Sequence, residues 1–188
     1  MNPPDFPAEG ILTERVRLTV ARRADAEALL AFQSENREHF QPWEPLRSDE
    51  FFTMPAAEQR LAAMEEQMAS GTALHLLLRG VLTGAVLGQC NFTNIVRGPF
   101  QACFLGFAIG RRYEGRGLMS EALGAAIDYV FGHYRLHRIM ANHRPENVRS
   151  GNVLSKLGFE REGLARAYLK INGTWADHVL TSRINPHE

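Results

Sequence analysis

The pattern of apolar and polar positions along the chain predicts seven strands and four main helices. Residues 16–20, VRLTV, alternate as in a half-buried strand, and residues 100–109 form the nearly continuous apolar run of a central strand covered on both faces. Apolar residues at helical spacing over 117–134 predict the longest helix. Asn172-Gly173 predicts a two-residue hairpin turn. The other predicted elements are strands at 74–78, 85–92, 138–141, 159–171 and 174–184 and helices at 24–34, 55–70 and 147–157.

The order of these elements predicts one α/β domain of the α+β type. One strand and two helices precede three strands joined by short turns, and a helix, a strand, a helix and the final hairpin follow. Short turns between strands give antiparallel neighbours. We therefore expect a mixed, mostly antiparallel sheet of about seven strands with four main helices over residues 11–188, preceded by a flexible N-terminal arm at residues 1–10.

Charge and cysteine content narrow the possible functions. Lys plus Arg and Asp plus Glu number 21 each, so the chain carries no bulk charge that would attract nucleic acid or a membrane surface. No apolar run approaches the roughly 18 residues of a membrane span. Cys90 and Cys103 lie in apolar, strand-like segments without a metal-binding spacing. We therefore expect buried free thiols, no metal and a reducing, cytoplasmic location.

The stretch RRYEGRGLMSEA, residues 111–122, places two glycines among arginines at a strand-to-helix junction. A helix N-terminus presents unpaired N–H groups and a partial positive charge, and glycines let the backbone approach an anion. The stretch therefore indicates a phosphate or pyrophosphate site, although a glycine-rich turn with solvated arginines would also explain it. It lacks the Lys-Ser/Thr of a P-loop and the third glycine of a dinucleotide motif, which disfavours kinases, NTPases and Rossmann dehydrogenases.

A second motif, NVRSGNVLSKLGF at residues 147–159, favours one family. The pair formed by R-x-x-G-x-G at a helix start and N-x-x-S followed by K-L-G-F resembles the GNAT acyltransferase superfamily over nearly the whole chain. Within that superfamily the chain is most similar to the RimJ/RimL type, which acetylates N-termini of ribosomal proteins. The segments QPWEPLR, NFTNIVRG, HRIMAN and WADHVLT make it more similar to RimJ than to RimL.

The resemblance implies a splayed sheet that holds acetyl-CoA. The pantetheine arm would pair with the strand backbone near Phe107 and Ile109, and the pyrophosphate would lie on the N–H groups of Gly115 to Met119. Asn147 would bond the pantetheine from the other side, although it is equally well placed to cap its own helix. The full set of cosubstrate residues implied in this way is Phe107, Ile109, Arg112, Gly115, Arg116, Gly117, Leu118, Met119, Asn147 and Arg149.

Acetyl transfer to an amine needs a neutral amine, a stabilised carbonyl oxygen and a stabilised or protonated thiolate. N-terminal amines have a pKa of about 7.7–8.0, against about 10.4 for lysine, and so need less from a base. Glu44 is our candidate base or cation-binding carboxylate, and a solvated loop carboxylate is the simpler alternative. Leu154 occupies the position where many GNAT enzymes carry a tyrosine that acts as the general acid for the leaving thiol. Ser150 therefore becomes the candidate that stabilises the thiolate.

Three further side chains are candidates on the acceptor side, and one histidine is not. Trp43 would line a peptide groove, or hold its loop against the core. Asn91 and Tyr168 would line the amine site from neighbouring strands. His75 lies in an apolar strand, where a core histidine with satisfied polar atoms is the simpler expectation.

The leading hypothesis is therefore an acetyl-CoA-dependent N-acetyltransferase for the N-terminal amine of a protein, with the alanine N-terminus of a ribosomal protein as the implied acceptor. Two alternatives stay open: a GNAT enzyme that acetylates a small-molecule amine, and a non-catalytic acyl-CoA-binding module. We expect no direct nucleic-acid partner, no membrane partner, and a monomer or homodimer.

Overall fold

Strands form where the sequence alternates or runs apolar, and helices form where its apolar residues recur at helical spacing. The computed structural model describes residues 6–187. Its strands are β1 (Ile11–Leu12), β2 (Val16–Val20), β3 (Leu74–Gly80), β4 (Val86–Val96), β5 (Ala102–Ile109), β6 (Arg138–His143), β7 (Glu160–Ile171) and β8 (Thr174–Ile184). Its helices are α1 (Ala26–Glu35), α2 (Arg37–Phe40), α3 (Met54–Ala69), α4 (Leu118–Tyr129) and α5 (Val148–Lys156).

The eight strands form a single sheet in the order β1-β2-β3-β4-β5-β6-β8-β7. All neighbours are antiparallel except β5 and β6, which are parallel. Their pairing runs only from Ala102 opposite Arg138 to Phe104 opposite Met140. Beyond these residues the two strands are no longer paired, so the sheet opens into a cleft. The mixed, mostly antiparallel and splayed sheet is thereby confirmed, with one strand more than predicted.

Two apolar layers cover the two faces of the sheet. Alternate residues of β3 supply both layers, because successive side chains of a strand point to opposite faces. Leu74, Leu76 and Leu78 join the larger layer, beneath α4 and α5. Leu77 joins the smaller layer, beneath α1 and α3. The arrangement places the start of α4 on one face of the cleft and leaves the other face to α1, α3 and the loop between them.

The central strand differs from the prediction in its second half. Ala102, Cys103 and Leu105 of β5 are buried, as expected of a strand covered on both faces. Gly106 is exposed, and the residues from Phe107 to Ile109 are only half-buried. The prediction of full cover was therefore wrong for these residues, because the sheet opens into the cleft along one side of β5.

Two sequence predictions about turns and thiols are confirmed. Asn172 and Gly173 have φ of 45° and 82°, the left-handed values that a type I′ hairpin turn requires at both positions. Cys90 and Cys103 are buried free thiols, and burial raises the pKa of each to about 12. Among residues 6–187, no helix is long and apolar enough to cross a membrane.

The predicted flexible arm is partly anchored. Residues 1–5 of it lie outside the described residues, whereas Phe6 is only 4% exposed and its ring contacts Tyr129 edge-on at 5.0 Å between centroids. Ile11 and Leu12 form β1, a strand of two residues that is too short to show an alternating pattern. The domain therefore begins before residue 11.

Replacing Phe6 by alanine tests this anchor. We expect Phe6→Ala to lower the free energy of unfolding by about 3 kcal/mol, because it leaves a cavity beside Tyr129. Leu12→Ala, at a side chain that is 58% exposed, should change it by less than about 0.5 kcal/mol. Urea denaturation measures both free energies of unfolding. A loss for Phe6→Ala as small as that expected for Leu12→Ala would show that Phe6 does not anchor the segment.

Candidate active site

The cleft exposes an unpaired backbone edge of β5. The N–H group of Gly110 donates to the carbonyl of Leu87 at 2.8 Å, which directs the backbone groups of residue 110 towards β4. Because backbone groups alternate sides along a strand, the N–H groups of Phe107 and Ile109 point away from β4 and into the cleft. No described strand pairs with them there. This edge can bind an extended ligand through main-chain hydrogen bonds.

The turn that follows β5 forms an anion cradle at the start of α4. Gly115 and Gly117 have φ of 71° and 77°, values that other residues rarely adopt. Gly117 is the N-cap of α4 and has no side chain to cap it, and the first helical bond runs from the N–H of Glu121 to the Gly117 carbonyl. The N–H groups of residues 118–120 therefore have no acceptor within the helix and suit an anionic ligand.

The cradle is fixed from behind by Arg15 on the loop between β1 and β2. Its guanidinium donates to the carboxylate of Glu121 at 2.8 Å and to the carbonyl of Arg116 at 2.9 Å. The Thr13 hydroxyl donates to the same carboxylate at 2.6 Å. Burial would raise the pKa of Glu121, but the hydrogen bonds from Thr13 and Arg15 outweigh it and lower that pKa. An ionised Glu121 thus joins the first turn of α4 to the opposite edge of the sheet.

Two of the arginines expected at the phosphates are paired with carboxylates. Arg112 pairs with Glu35 at 3.1 Å, and Arg149 pairs with Glu114, which also contacts His39 at 3.2 Å. Arg112 and Arg149 are highly exposed, and exposed ion pairs contribute at most about 1 kcal/mol. Both guanidiniums can therefore exchange a carboxylate for a phosphate at little cost.

The first turn of α5 forms the opposite wall. Asn147 caps the helix, since its side-chain oxygen accepts from the N–H of Ser150 at 3.2 Å, which confirms the predicted cap. The amide NH₂ of Asn147 is not used by that bond. The α5 backbone lies against the His143 ring, which would be 3.0 Å from a β-carbon at Gly151. Leu154 is 1% exposed in the core and offers no acid.

Comparison with known proteins identifies this arrangement. The family model of the acetyltransferase (GNAT) domain matches residues 15–160. The chain belongs to the GNAT acetyltransferase family. It is 44% identical over 183 residues to the [ribosomal protein uS5]-alanine N-acetyltransferase of Escherichia coli, covering 97% of this chain and 94% of that protein.

Two solved GNAT structures are closely similar. The ribosomal-protein-S5-alanine acetyltransferase of Vibrio fischeri is 38% identical, with a TM-score of 0.90 over 94% of this chain and 96% of that one. RimJ of Mycobacterium smegmatis in complex with CoA-disulfide is 26% identical, with a TM-score of 0.88 over 100% of this chain and 91% of that one. A CoA-binding cleft is thus present in a structural relative of this GNAT domain.

The loop after α2 forms a rim of the GNAT cleft. Arg144, between β6 and α5, donates to the carbonyl of Pro42 at 2.9 Å and lies 5.8 Å from the Trp43 ring. The N–H of Asn172, in the final hairpin, donates to the carbonyl of Glu44 at 2.9 Å. The backbone is therefore held on either side of Trp43, and the Trp43 side chain remains 37% exposed at the surface. Both roles predicted for Trp43 are compatible with this position.

The Glu44 carboxylate is half-buried, beside a cavity of about 100 Å³ walled by Phe40, Phe51 and Phe52. Burial raises its pKa, and Arg47, at 3.7 Å, partly offsets that effect. A carboxylate in such a setting takes up a proton more readily than an exposed one. Among residues 6–187, no hydrogen bond or ion pair is seen between Glu44 and Ser150, and the catalytic role of each stays a prediction.

Asn91 and His75 form a polar row across two strands. The two residues are cross-strand partners, and the His75 Nδ1 lies 2.8 Å from the Asn91 side-chain oxygen. The His75 Nε2 lies 2.7 Å from the side-chain oxygen of Gln67. His75 is thus the core histidine that the sequence indicates, with a polar side chain beside each ring nitrogen. Burial lowers its pKa, although the bond to Asn91 opposes this effect. Asn91 is thereby held in place on the face covered by α1 and α3.

Tyr168 lies on a strand farther from β5 in the sheet than the strand of Asn91. It belongs to β7, beside a bulge centred on Ala167, and its ring contacts that of His178 at 5.7 Å between centroids. In sheet order β7 is three strands from β5. No described hydrogen bond joins Tyr168 to Asn91, so its predicted place at the amine site stays a prediction.

Several residues around the GNAT cleft have contacts that the sequence does not indicate. Arg15 and Glu121 are 106 positions apart, and nothing local to either one indicates their pairing. Glu114 gives no signal either, since an acidic residue beside a phosphate cradle is not expected. Gly151 follows a helix cap and is a helix residue by pattern, yet its lack of a side chain is what admits His143.

Proposed function

We propose that the chain is an acetyl-CoA-dependent N-acetyltransferase whose acceptor is the N-terminal amine of a protein, with the alanine N-terminus of a ribosomal protein as the first choice. The main support is the uncapped start of α4 beside the unpaired edge of β5, in a chain 44% identical to the E. coli enzyme over 97% of its length. The predicted cytoplasmic location and monomeric or homodimeric state are part of the proposal.

The cosubstrate residues fit this role in a consistent order along the cleft. The N–H groups of residues 118–120 would hold the pyrophosphate, with Arg112, Arg116 and Arg149 adding charge from the sides. The N–H groups of Phe107 and Ile109 would bond the pantetheine arm and stabilise the thioester oxygen as it gains negative charge. The free amide NH₂ of Asn147 would bond the arm from α5. No described cluster of His, Cys, Asp or Glu suits a metal ion.

The reacting groups need little assistance when the acceptor is an N-terminal amine. Roughly a tenth of such amines are neutral at pH 7, so a carboxylate that takes up the proton of the attacking amine is sufficient. Glu44 would act in this way, directly or through water, because its raised pKa makes it a better proton acceptor than an exposed glutamate. The Ser150 hydroxyl would donate a hydrogen bond to the departing thiolate.

A peptide panel tests the acceptor class. We expect thiol release from acetyl-CoA with peptides that begin with a free alanine, and none with the same peptides when the N-terminus is blocked or when lysine offers the sole amine. Turnover with free small amines alone would favour the small-molecule alternative. Tight acetyl-CoA binding without turnover on any amine would favour the binding module.

Gly117→Asp tests the cradle. The substitution places a carboxylate next to the N–H groups of α4 and a side chain at a φ of 77°, so we expect acetyl-CoA affinity to fall at least about 100-fold. Isothermal titration calorimetry measures the affinity, and circular dichroism checks the fold. Gly98→Asp is the matched control, because Gly98 also has a positive φ but lies in the turn after β4. Equal affinities of Gly117→Asp and wild type would refute the assignment.

Two substitutions test the catalytic roles. For Glu44→Gln we expect kcat to fall about 100-fold and to lose the acid limb that wild type shows as pH drops through the raised pKa of Glu44. Glu50→Gln, at an exposed carboxylate, is the control.

For Ser150→Ala we expect kcat to fall about 10-fold, with little change in acetyl-CoA affinity. Either residue leaves the mechanism if its variant turns over at the wild-type rate.

A further inference from the structure

Gly106 is a glycine that the fold itself does not require. It lies inside β5 with an extended backbone, not in the left-handed region that favours glycine. A β-carbon built there would meet no atom within 4 Å. Glycine inside a strand is destabilising relative to other residues, and it often marks a point where a ligand approaches the backbone. Neither the backbone conformation nor the packing of the chain therefore explains why a glycine occupies position 106.

Other glycines around the cleft have a packing reason that Gly106 lacks. A β-carbon at Gly88, on the neighbouring strand, would be 2.5 Å from the carbonyl oxygen of Ala108. At Gly151 it would be 3.0 Å from the His143 ring. In both cases the protein's own atoms fill the place of the missing side chain. At Gly106 that place is empty and open to solvent.

The empty place lies where an acceptor must pass. The anion cradle starts α4, which packs on the larger apolar layer, so a CoA thioester approaches the Phe107 N–H from that face. The acceptor amine then has to come from the opposite face, where Gly106, Asn91 and Ala108 lie. Ala108 packs against the layer beneath α1 and α3, whereas Gly106 is exposed. Gly106 is also the cross-strand partner of Asn91, whose amide is held by His75.

We propose that Gly106 is the floor of the acceptor subsite and determines which N-terminal residues are acetylated. The first residue of the acceptor polypeptide lies across the Gly106 backbone, with its amine between Asn91 and the thioester. The space of the missing β-carbon takes its small side chain, such as the methyl group of alanine. This inference rests on the proposed function and adds a size limit at a named position.

The test is a pair of substitutions measured against peptides of different first residue. We expect Gly106→Ala to lower kcat/KM about 10-fold for a peptide that begins with alanine, and less for the same peptide beginning with glycine, which leaves room for the new methyl group. Gly106→Val should abolish acetylation of both peptides. Acetyl-CoA affinity should stay at the wild-type value for both variants.

Stability separates a blocked subsite from a damaged fold. Because alanine and valine favour strands more than glycine does, and the site is open, both variants should have a Tm equal to or above that of wild type. Gly163→Ala is the matched control, since a β-carbon there also meets no atom within 4 Å, and it lies in β7, three strands from β5. This control should acetylate both peptides as wild type does.

The possible results distinguish a failure of this inference from a failure of the proposed function. Wild-type kcat/KM in Gly106→Val, or an equal loss for both peptides in Gly106→Ala, would overturn the inference while leaving the proposed function intact. A lowered Tm in both variants would also overturn it, because the glycine would then serve the fold. A wild-type enzyme that acetylates no free N-terminus would overturn the proposed function and this inference together.

Discussion

The early separation of β5 from β6 is the constraint on which the rest of the structure depends. Parallel strands need a crossover connection, here the turn and helix α4, and the pairing ends at Phe104 and Met140. Had the pairing continued, the N–H groups of Phe107 and Ile109 would be used within the sheet. Because it ends, they stay available, and the same separation sets α4 and α5 on either side of the gap. One missing stretch of ladder therefore produces both the main-chain edge and the two helix termini that face it.

The two helix starts that face the cleft solve their capping in different ways. Asn147 caps α5 through the N–H of Ser150, as the N-x-x-S pattern indicates. Gly117 leaves α4 uncapped, and this start is held instead by the contact of Glu121 with Arg15. The unpaired N–H groups of such a helix start are left to water or to a ligand. The capped helix thus forms a wall of the cleft, and the start of the uncapped one is the proposed anion site.

Features that depend on local pattern were predictable, and features that depend on distant contacts were not. The hairpin at Asn172-Gly173 and the Asn147 cap each follow from a few neighbouring residues. The pairing of Arg15 with Glu121 depends on the docking of α4 beside β2, which no local pattern records. The cover of β5 was misjudged for the same reason, since an apolar run shows that a strand is buried somewhere but not where its pairing with a neighbouring strand ends.

Part of the positive charge around the cleft is already paired with carboxylates, which bears on how an anion would be selected. Glu35 and Glu114 pair with Arg112 and Arg149, so two of the arginines beside the proposed anion site are matched by carboxylates. A diffuse basic patch would attract any polyanion, including nucleic acid. Fixed N–H groups at the start of α4 instead demand a ligand of the right shape, and the exposed arginines can join once it is in place. Selectivity of the proposed site for one anion would therefore depend on backbone geometry, with the side-chain charges as secondary contributors.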